Sequence, residues 1–357
     1  MEEPTVMVGM SGGVDSSVAA MLLTREGRKC LGVTMTLWEE TDCTDAAAIA
    51  RQLGISHCHI DCRQEFRQTV IRDFIDSCEQ GLTPNPCIVC NRTMKFGLML
   101  EKARALGCRY VATGHYARIR QDPDSGRYLL RKALDSRKDQ TYFLSCLTQE
   151  QLASSLFPLG ELTKDQIRGL AEKNHLITAH KRDSQDICFI PDGDYVSFLK
   201  AQTGRSYPSG DYLNLEGQVI GTHRGAVCYT LGQRRGLGIA LGSPAYVCGK
   251  DMKNNTVTLG HVEALMAPAL LTHPVNWIAA PREEPIKCTG KIRHSQFDQP
   301  ATLFPQSDGS CIAVFDQPQR AICPGQTAVF YQGDTVLCGG IIAKAMQQQE
   351  LPPLYYI

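Results

Sequence analysis

The chain has 357 residues, 37 basic and 37 acidic side chains, 43% hydrophobic content and sixteen cysteines. That length is too great for one small core and predicts two or three domains. No apolar run reaches the roughly 18 residues of a membrane span, and the N-terminus lacks the basic-then-apolar pattern of a signal peptide, so a cytoplasmic protein without a membrane partner is expected. Zero net charge leaves any nucleic-acid partner to local basic patches. Candidates are residues 118–138, where seven Lys/Arg face three Asp, and the run His180, Lys181, Arg182. In a reducing compartment the cysteines do not form a disulfide framework, and most are expected to be small buried hydrophobes.

Residues 6–10 (VMVGM) read as a buried parallel strand, and SGGVDSS at 11–17 follows directly. Its glycines let backbone N–H groups approach an anion, and the N-terminus of the next helix adds partial positive charge. This is a phosphate cradle without the GK[ST] of a Walker A loop. Further strands are expected at 30–37 and 110–113, with helices at 18–26, 45–53, 66–79 and 94–106. Such alternation predicts an α/β fold, a doubly wound parallel sheet whose ligands bind beyond the carboxyl ends of the strands. SGGVDSS, Met35 and Gly114 all fall on that edge.

TPNPCIVCNRTMKFG (83–97) brackets Asn85 with two prolines, which hold the chain extended before a helix expected near Arg92. Cys87 and Cys90 form a C-x-x-C on the N-terminal approach to that helix, where thiol pKa is expected to fall. TGHYAR (113–118) sets His115 after a strand, and KDQTYFL (138–144) groups Lys138, Asp139 and Gln140. Helices are expected at 164–172 and 194–202. Between them RDSQDICFIP (182–191) presents Cys188 among polar residues. From about Tyr207 the text turns to short β-branched and aromatic runs, at 217–222, 245–249, 256–259, 312–315, 328–331 and 335–342. They predict two small β-rich modules meeting near 273–277. PGQTAVFY (324–331) puts Gln326 in a Pro-Gly turn.

In collinear order, GMSGGVDSSV, TPNPCIVCN, KFG, ATGHYAR, KDQTYFL, DSQDICFIP, YTLGQRRGLGI, IRHSQ and PGQTAVFY resemble the tRNA-specific 2-thiouridylases of the MnmA/TrmU type, in the PP-loop ATP pyrophosphatase superfamily. The resemblance implies a PP-loop thiolation domain (1–205), a small central domain (206–273) and a C-terminal β-barrel-like domain that grips tRNA (274–357). It implies exchange of sulfur for oxygen at C2 of the wobble uridine, U34, in tRNAs for Lys, Glu and Gln. ATP with Mg2+ would turn the C2 oxygen into AMP, a good leaving group. Gly9, Met10, Ser11, Gly12, Gly13, Val14, Asp15 and Ser16 would hold the phosphates, with Met35 and Gly114 lining the nucleotide site. Cys188 matches the position that accepts a persulfide from a donor, a cysteine desulfurase or relay protein. Cys90 matches the thiol that resolves it through a Cys90–Cys188 disulfide. Asn85, Pro86 and Cys87 would meet the target base, while Lys138, Asp139, Gln140, Arg293 and His294 would touch tRNA, with His115 and Gln326 as further contacts.

One departure stands out. Many bacterial members carry Asp where this chain has Cys87. Three thiolates, Cys87, Cys90 and Cys188, are a natural set for a [4Fe-4S] cluster with one iron left open to deliver hydrosulfide, so two mechanisms stay in view. A structural zinc would want a fourth ligand that is not identified. Among other PP-loop enzymes, the paired cysteine segments argue against an amide-forming synthetase. The motif order and the lack of an RNA-binding module ahead of the loop argue against a 4-thiouridine synthase. The rival of another class is a non-catalytic tRNA-binding paralogue.

Overall fold

The computed structural model describes residues 5–38, 43–181 and 187–351; Arg182 and the first half of RDSQDICFIP lie outside the described residues. The first unit is a parallel sheet in the order β3 (Ser56–Asp61), β2 (Cys30–Thr36), β1 (Thr5–Gly9), β4 (Cys108–Ala112) and the short Ser155–Leu156. Val6, Met7 and Val8 are all fully buried, which marks β1 as a strand covered on both faces. Val6 and Val8 face α1 (Val14–Arg25), α2 (Thr44–Leu53) and the helix Lys164–Lys173. Met7 faces the other way, with Val33 and Val111, onto Phe96, Met99, Leu100 and Ala103. The doubly wound α/β arrangement expected from the alternation is present.

One helix starts earlier than its pattern suggests. The helical run over 86–105 opens at Pro86, and Asn85 precedes it in extended conformation. Proline is preorganised for the first helical position, where its missing N–H costs nothing. Cys87 and Cys90 therefore sit inside the first helical turns rather than on their approach. Residues 91–98 then widen into a π-helical turn.

The second unit is a four-stranded sheet in the order Tyr246–Asp251, Thr256–Gly260, Gly210–Leu213, Val219–His223. The third is a closed barrel. Its six antiparallel strands run Met266–Thr272, Cys311–Arg320, Gln299–Pro305, Ile286–Lys291, Thr327–Gln332 and Thr335–Met346, and the last pairs back onto the first. Closure removes the edges on which an open sheet would aggregate.

The basic stretch 118–138 is not the free patch its composition suggests. Arg118–Gln121 and Tyr128–Arg131 form a hairpin that joins the barrel sheet through Arg131 and Thr335. The Asp334 carboxylate accepts hydrogen bonds from Arg118 (2.8 Å) and Arg131 (2.7 Å). Arg127 donates to the carbonyls of Trp277 and Ile278 at 2.6 and 3.1 Å, and Lys132 pairs with Asp298 at 3.0 Å. Most of these cations stitch the first unit to the barrel.

Gly160 marks one of the tightest contacts. A Cβ there would lie 2.0 Å from the Ala117 carbonyl oxygen. Gly160→Ala is expected to cost about 1–3 kcal/mol through overpacking and to lower the thermal midpoint. Gly169, mid-helix with nothing within 4 Å of its added Cβ, is the control: Gly169→Ala should hold or raise the midpoint, since alanine loses less backbone freedom on folding.

Candidate active site

Between β1 and α1 the loop closes on itself. The Ser11 amide donates to Ser16 Oγ at 3.2 Å, and the Ser16 and Ser17 hydroxyls donate to the Gly13 carbonyl at 3.2 and 2.8 Å. Gly12 has φ +70°, a conformation that favours glycine. The loop is fastened to β2 by the Met10 amide on the Val33 carbonyl (2.7 Å) and the Thr34 hydroxyl on the Met10 carbonyl (2.7 Å). Met35 follows on β2, half-buried. A Cβ on Gly114 would meet the Ser16 amide nitrogen at 2.7 Å and the Asp15 carbonyl carbon at 2.8 Å, so only glycine lets the end of β4 lie against the start of α1. Gly9, Met10, Ser11, Gly12, Gly13, Val14, Asp15, Ser16, Met35 and Gly114 thus gather at one sheet edge.

Asp15 is held from two sides by residues distant in the chain. Lys164 Nζ donates to its two carboxylate oxygens at 2.8 and 2.9 Å, and the Tyr116 hydroxyl donates to it at 2.7 Å. The Lys164 side chain is only 7% exposed, so this pair anchors α1 to the helix Lys164–Lys173. The weak signal was a lysine opening a helix, where cations are disfavoured unless paired.

The sulfur side is built from two segments. The first is the turn from Asn85 into the helix, with Cys87 exposed and Cys90 buried. The second carries Cys188, exposed. Phe189 beside it is buried among Phe66, Phe74, Phe198 and Trp38, at ring separations of 5.7, 5.5, 5.1 and 6.4 Å. Trp38 lies just past β2, so the phosphate-loop edge of the sheet and the Cys188 segment share one aromatic cluster.

Burial raises all three thiols, contrary to the lowering expected for a helix N-terminus. Cys90 is pushed up to about 11, first by burial, with the Cys188 and Cys87 sulfurs adding to it and Lys95 opposing. Burial likewise lifts Cys188, reinforced by Cys87 and opposed by Lys95, and lifts Cys87 against Lys95. Though Cys87 and Cys188 reach solvent, protein crowds them on their other sides. Lys95, in the wide turn at 91–98 and five residues after Cys90, is the cation that acts on all three thiols. Lys95 was not among the expected site residues; its only trace was its place in KFG.

The sites expected on tRNA divide. Gln326 Nε2 donates to the Thr83 carbonyl at 2.9 Å, and the Thr83 amide donates to the Pro324 carbonyl at 2.9 Å. A Cβ on Gly325 would stand 2.8 Å from Leu82 Cβ. The barrel turn 324–326 therefore grips the segment leading to Asn85, Pro86 and Cys87. His294 is exposed and its ring lies 4.3 Å from that of Phe143. Arg293 donates to the Arg320 carbonyl at 2.5 Å. Lys138 is half-buried.

Three others turn inward. His115 is buried, 2.7 Å from the Thr113 hydroxyl and packed on Phe96 and Phe157. Burial and Lys95 hold its pKa well below the ordinary value. It is a neutral core imidazole rather than a surface contact. Asp139 is buried, accepting from the Ala133 amide at 3.0 Å and the Thr141 hydroxyl at 2.6 Å. Gln140 accepts from the Tyr116 amide at 2.9 Å. Both act on the backbone beneath the site.

Among the described residues, no three His, Cys, Asp or Glu side chains stand together at metal-sharing spacing. Cys87, Cys90 and Cys188 nonetheless have the donor chemistry of an iron-sulfur cluster, and their sulfurs lie near enough to raise one another's pKa.

Residues 4–192 match the family described as the tRNA methyl transferase HUP domain, 196–261 its PRC-barrel domain, and 268–342 the aminomethyltransferase beta-barrel domain. Along 96% of its length the chain is 46% identical to tRNA-specific 2-thiouridylase MnmA 1 of Caldanaerobacter subterraneus subsp. tengcongensis, covering 98% of that protein. It is 45% identical to the MnmA of Acetivibrio thermocellus and 44% to that of Clostridioides difficile, covering 100% and 98% of them and 96% of this chain in each case. The chain belongs to the tRNA-specific 2-thiouridylase family. The order of parallel sheet, small central sheet and closed barrel is the order of its three matched segments, and the 2-thiouridylase motifs quoted above fall at the loop, thiol and barrel-turn positions just described.

The thiol energetics are testable directly. Below its pKa a thiol gains about tenfold in thiolate per pH unit. Alkylation of Cys90 by iodoacetamide, followed by peptide mass spectrometry, should therefore accelerate steadily from pH 7 toward pH 10. Lys95→Met removes the cation that opposes burial and should slow the labelling of Cys90 and Cys188 at every pH in that range.

Proposed function

We propose that this chain is a tRNA-uridine 2-sulfurtransferase that replaces the C2 oxygen of U34 with sulfur in tRNAs for Lys, Glu and Gln, at the expense of ATP. The observation that carries the reading is the convergence of Cys90 and Cys188, from distant parts of the chain, on one another and on Lys95. Beside them lies the phosphate-loop edge of the sheet. A cavity of about 230 Å3 opens next to Pro84 and Ile187, lined also by Phe74, Tyr195, Thr230 and Lys250. A void of about 150 Å3 accepts benzene, so this one is roomy enough for one pyrimidine ring; its wall holds the residues next to Asn85 and Cys188 but none of the three thiols.

In the proposed cycle the uracil C2 oxygen bonds to the α-phosphorus of ATP, brought as its Mg2+ complex, and pyrophosphate leaves. The terminal sulfur of a Cys188 persulfide then attacks C2, and AMP departs with the oxygen. Cys90 thiolate attacks Cys188 Sγ, and the sulfur–sulfur bond breaks with its electron pair going to the sulfur now on C2. The resulting Cys90–Cys188 disulfide is reduced by an external thiol, and a cysteine desulfurase or relay protein reloads Cys188. Lys95 supports the thiolate at each exchange. ATP and tRNA place the work in the cytoplasm, and among the described residues no helix is long and apolar enough to cross a membrane.

Cys90→Ala and Cys188→Ala should each abolish 2-thiouridine, read by nucleoside mass spectrometry, while filter binding of tRNA stays within about twofold of wild type. Binding without any release of AMP by the wild-type protein would instead mark a non-catalytic paralogue. Cys87→Asp should retain activity. Iron-stripped protein, assayed without oxygen, should thiolate tRNA as fast as protein reconstituted with iron and sulfide. Activity confined to the iron-loaded protein, lost in Cys87→Asp, would replace the persulfide relay with cluster chemistry.

A further inference from the structure

The loop SGGVDSS contains no lysine, yet the reaction proposed above expels pyrophosphate, an ion of several negative charges. The space above Gly12 shows where a cation is available. A Cβ on Gly12 would lie 3.3 Å from Asp45 Cβ, 3.6 Å from the Ala46 amide nitrogen and 3.8 Å from Lys181 Nζ. Asp45 and Ala46 stand in the first turn of α2. The N-terminal ends of α1 and α2 and an ammonium group thus meet beside one glycine of the loop. Amides at helix N-termini and a cation together suit a polyphosphate.

Lys181 is free to serve in a way that Lys164 is not. Lys164 is buried and committed to both oxygens of Asp15 at 2.8 and 2.9 Å. Lys181 is half-exposed, and its ion pair with Asp45 Oδ2, at 2.8 Å, is a surface one. Exposed pairs are weak enough for an incoming polyanion to displace.

We infer that Lys181 binds the β- and γ-phosphates of ATP at this loop, leaving Asp45 to do so. The inference rests on the ATP-dependent reading. When the uracil oxygen bonds to the α-phosphorus, the bond from that phosphorus to the α,β-bridging oxygen breaks. Its electron pair stays on the departing pyrophosphate. Lys181 donates a hydrogen bond to that ion and keeps its proton. Because negative charge on the bridging oxygen grows toward the transition state, the lysine acts on turnover as well as on binding.

Two measurements on the full chain test this. In calorimetric titration with inorganic pyrophosphate, Lys181→Ala should bind at least about tenfold more weakly than wild type, the scale of losing one charged donor. Lys181→Arg should stay within about threefold, because it keeps the charge. Asp45→Asn should bind more tightly, since the competing carboxylate is gone. With unmodified tRNA and saturating ATP, pyrophosphate release by Lys181→Ala should fall by at least about tenfold, while filter binding of tRNA is unchanged. Lys181→Ala matching wild type in both assays would overturn the inference. Weaker pyrophosphate binding by Asp45→Asn would overturn the exchange of partners. If wild type binds tRNA but releases no pyrophosphate, the thiolation reading falls, and the titration still decides whether Lys181 holds phosphate.

Discussion

Desolvation of thiols is the constraint around which this protein is arranged. The proposed sulfur transfer needs thiolates and needs water kept away from an activated base, and these demands conflict, because burial favours the neutral thiol. At Cys90 burial wins outright, lifting the thiol to about 11. Cys87 and Cys188 are lifted in the same direction. The recurrent opposing group is Lys95, which lies in the helical stretch that widens over residues 91–98. A regular α-helix would turn a residue five positions on away from Cys90. Widened turns of this kind are frequent at functional sites.

The rest of the molecule fixes the two thiol segments relative to that cation. Phe189 ties Cys188 into an aromatic cluster that includes Trp38 beyond β2. On the other side the barrel turn holds Thr83 by two hydrogen bonds and a glycine that admits no side chain. Asn85 therefore takes its position from the barrel as much as from its own helix. A macromolecule gripping the barrel would bear on the approach to Cys87 through a few backbone contacts, a short and rigid route.

Much of this was legible in the chain, for local reasons. VMVGM followed by SGGVDSS announced strand, loop and helix, because the burial pattern and the glycines act within a dozen residues. The paired cysteine segments were equally plain. What escaped was long-range. Nothing near Lys164 or Lys181 tells that the first faces Asp15 and the second Asp45, partners 149 and 136 positions away. The basic stretch 118–138 misled for the same reason, since its neutralising carboxylate, Asp334, comes some two hundred residues later. The thiol pKa was misjudged because Pro86 starts the helix early and buries Cys90, so that desolvation outweighs the helix end. His115 and Asp139 show a related failure: a polar residue in a motif can be there to hold backbone.

The hairpin Arg118–Arg131 has a consequence for how the chain is made. Its inner strand, Tyr128–Arg131, meets the barrel sheet at Thr335, and Arg118 and Arg131 share the Asp334 carboxylate as counter-charge. As the polypeptide leaves the ribosome, the parallel sheet can assemble once Ser155–Leu156 has emerged. The hairpin at its flank stays incomplete until nearly the whole barrel has been synthesised. Pairings this distant in sequence form late and leave an unpaired edge exposed in the interval. Until Asp334 arrives, Arg118 and Arg131 leave positive charge on the waiting hairpin, and charge on an exposed edge disfavours association.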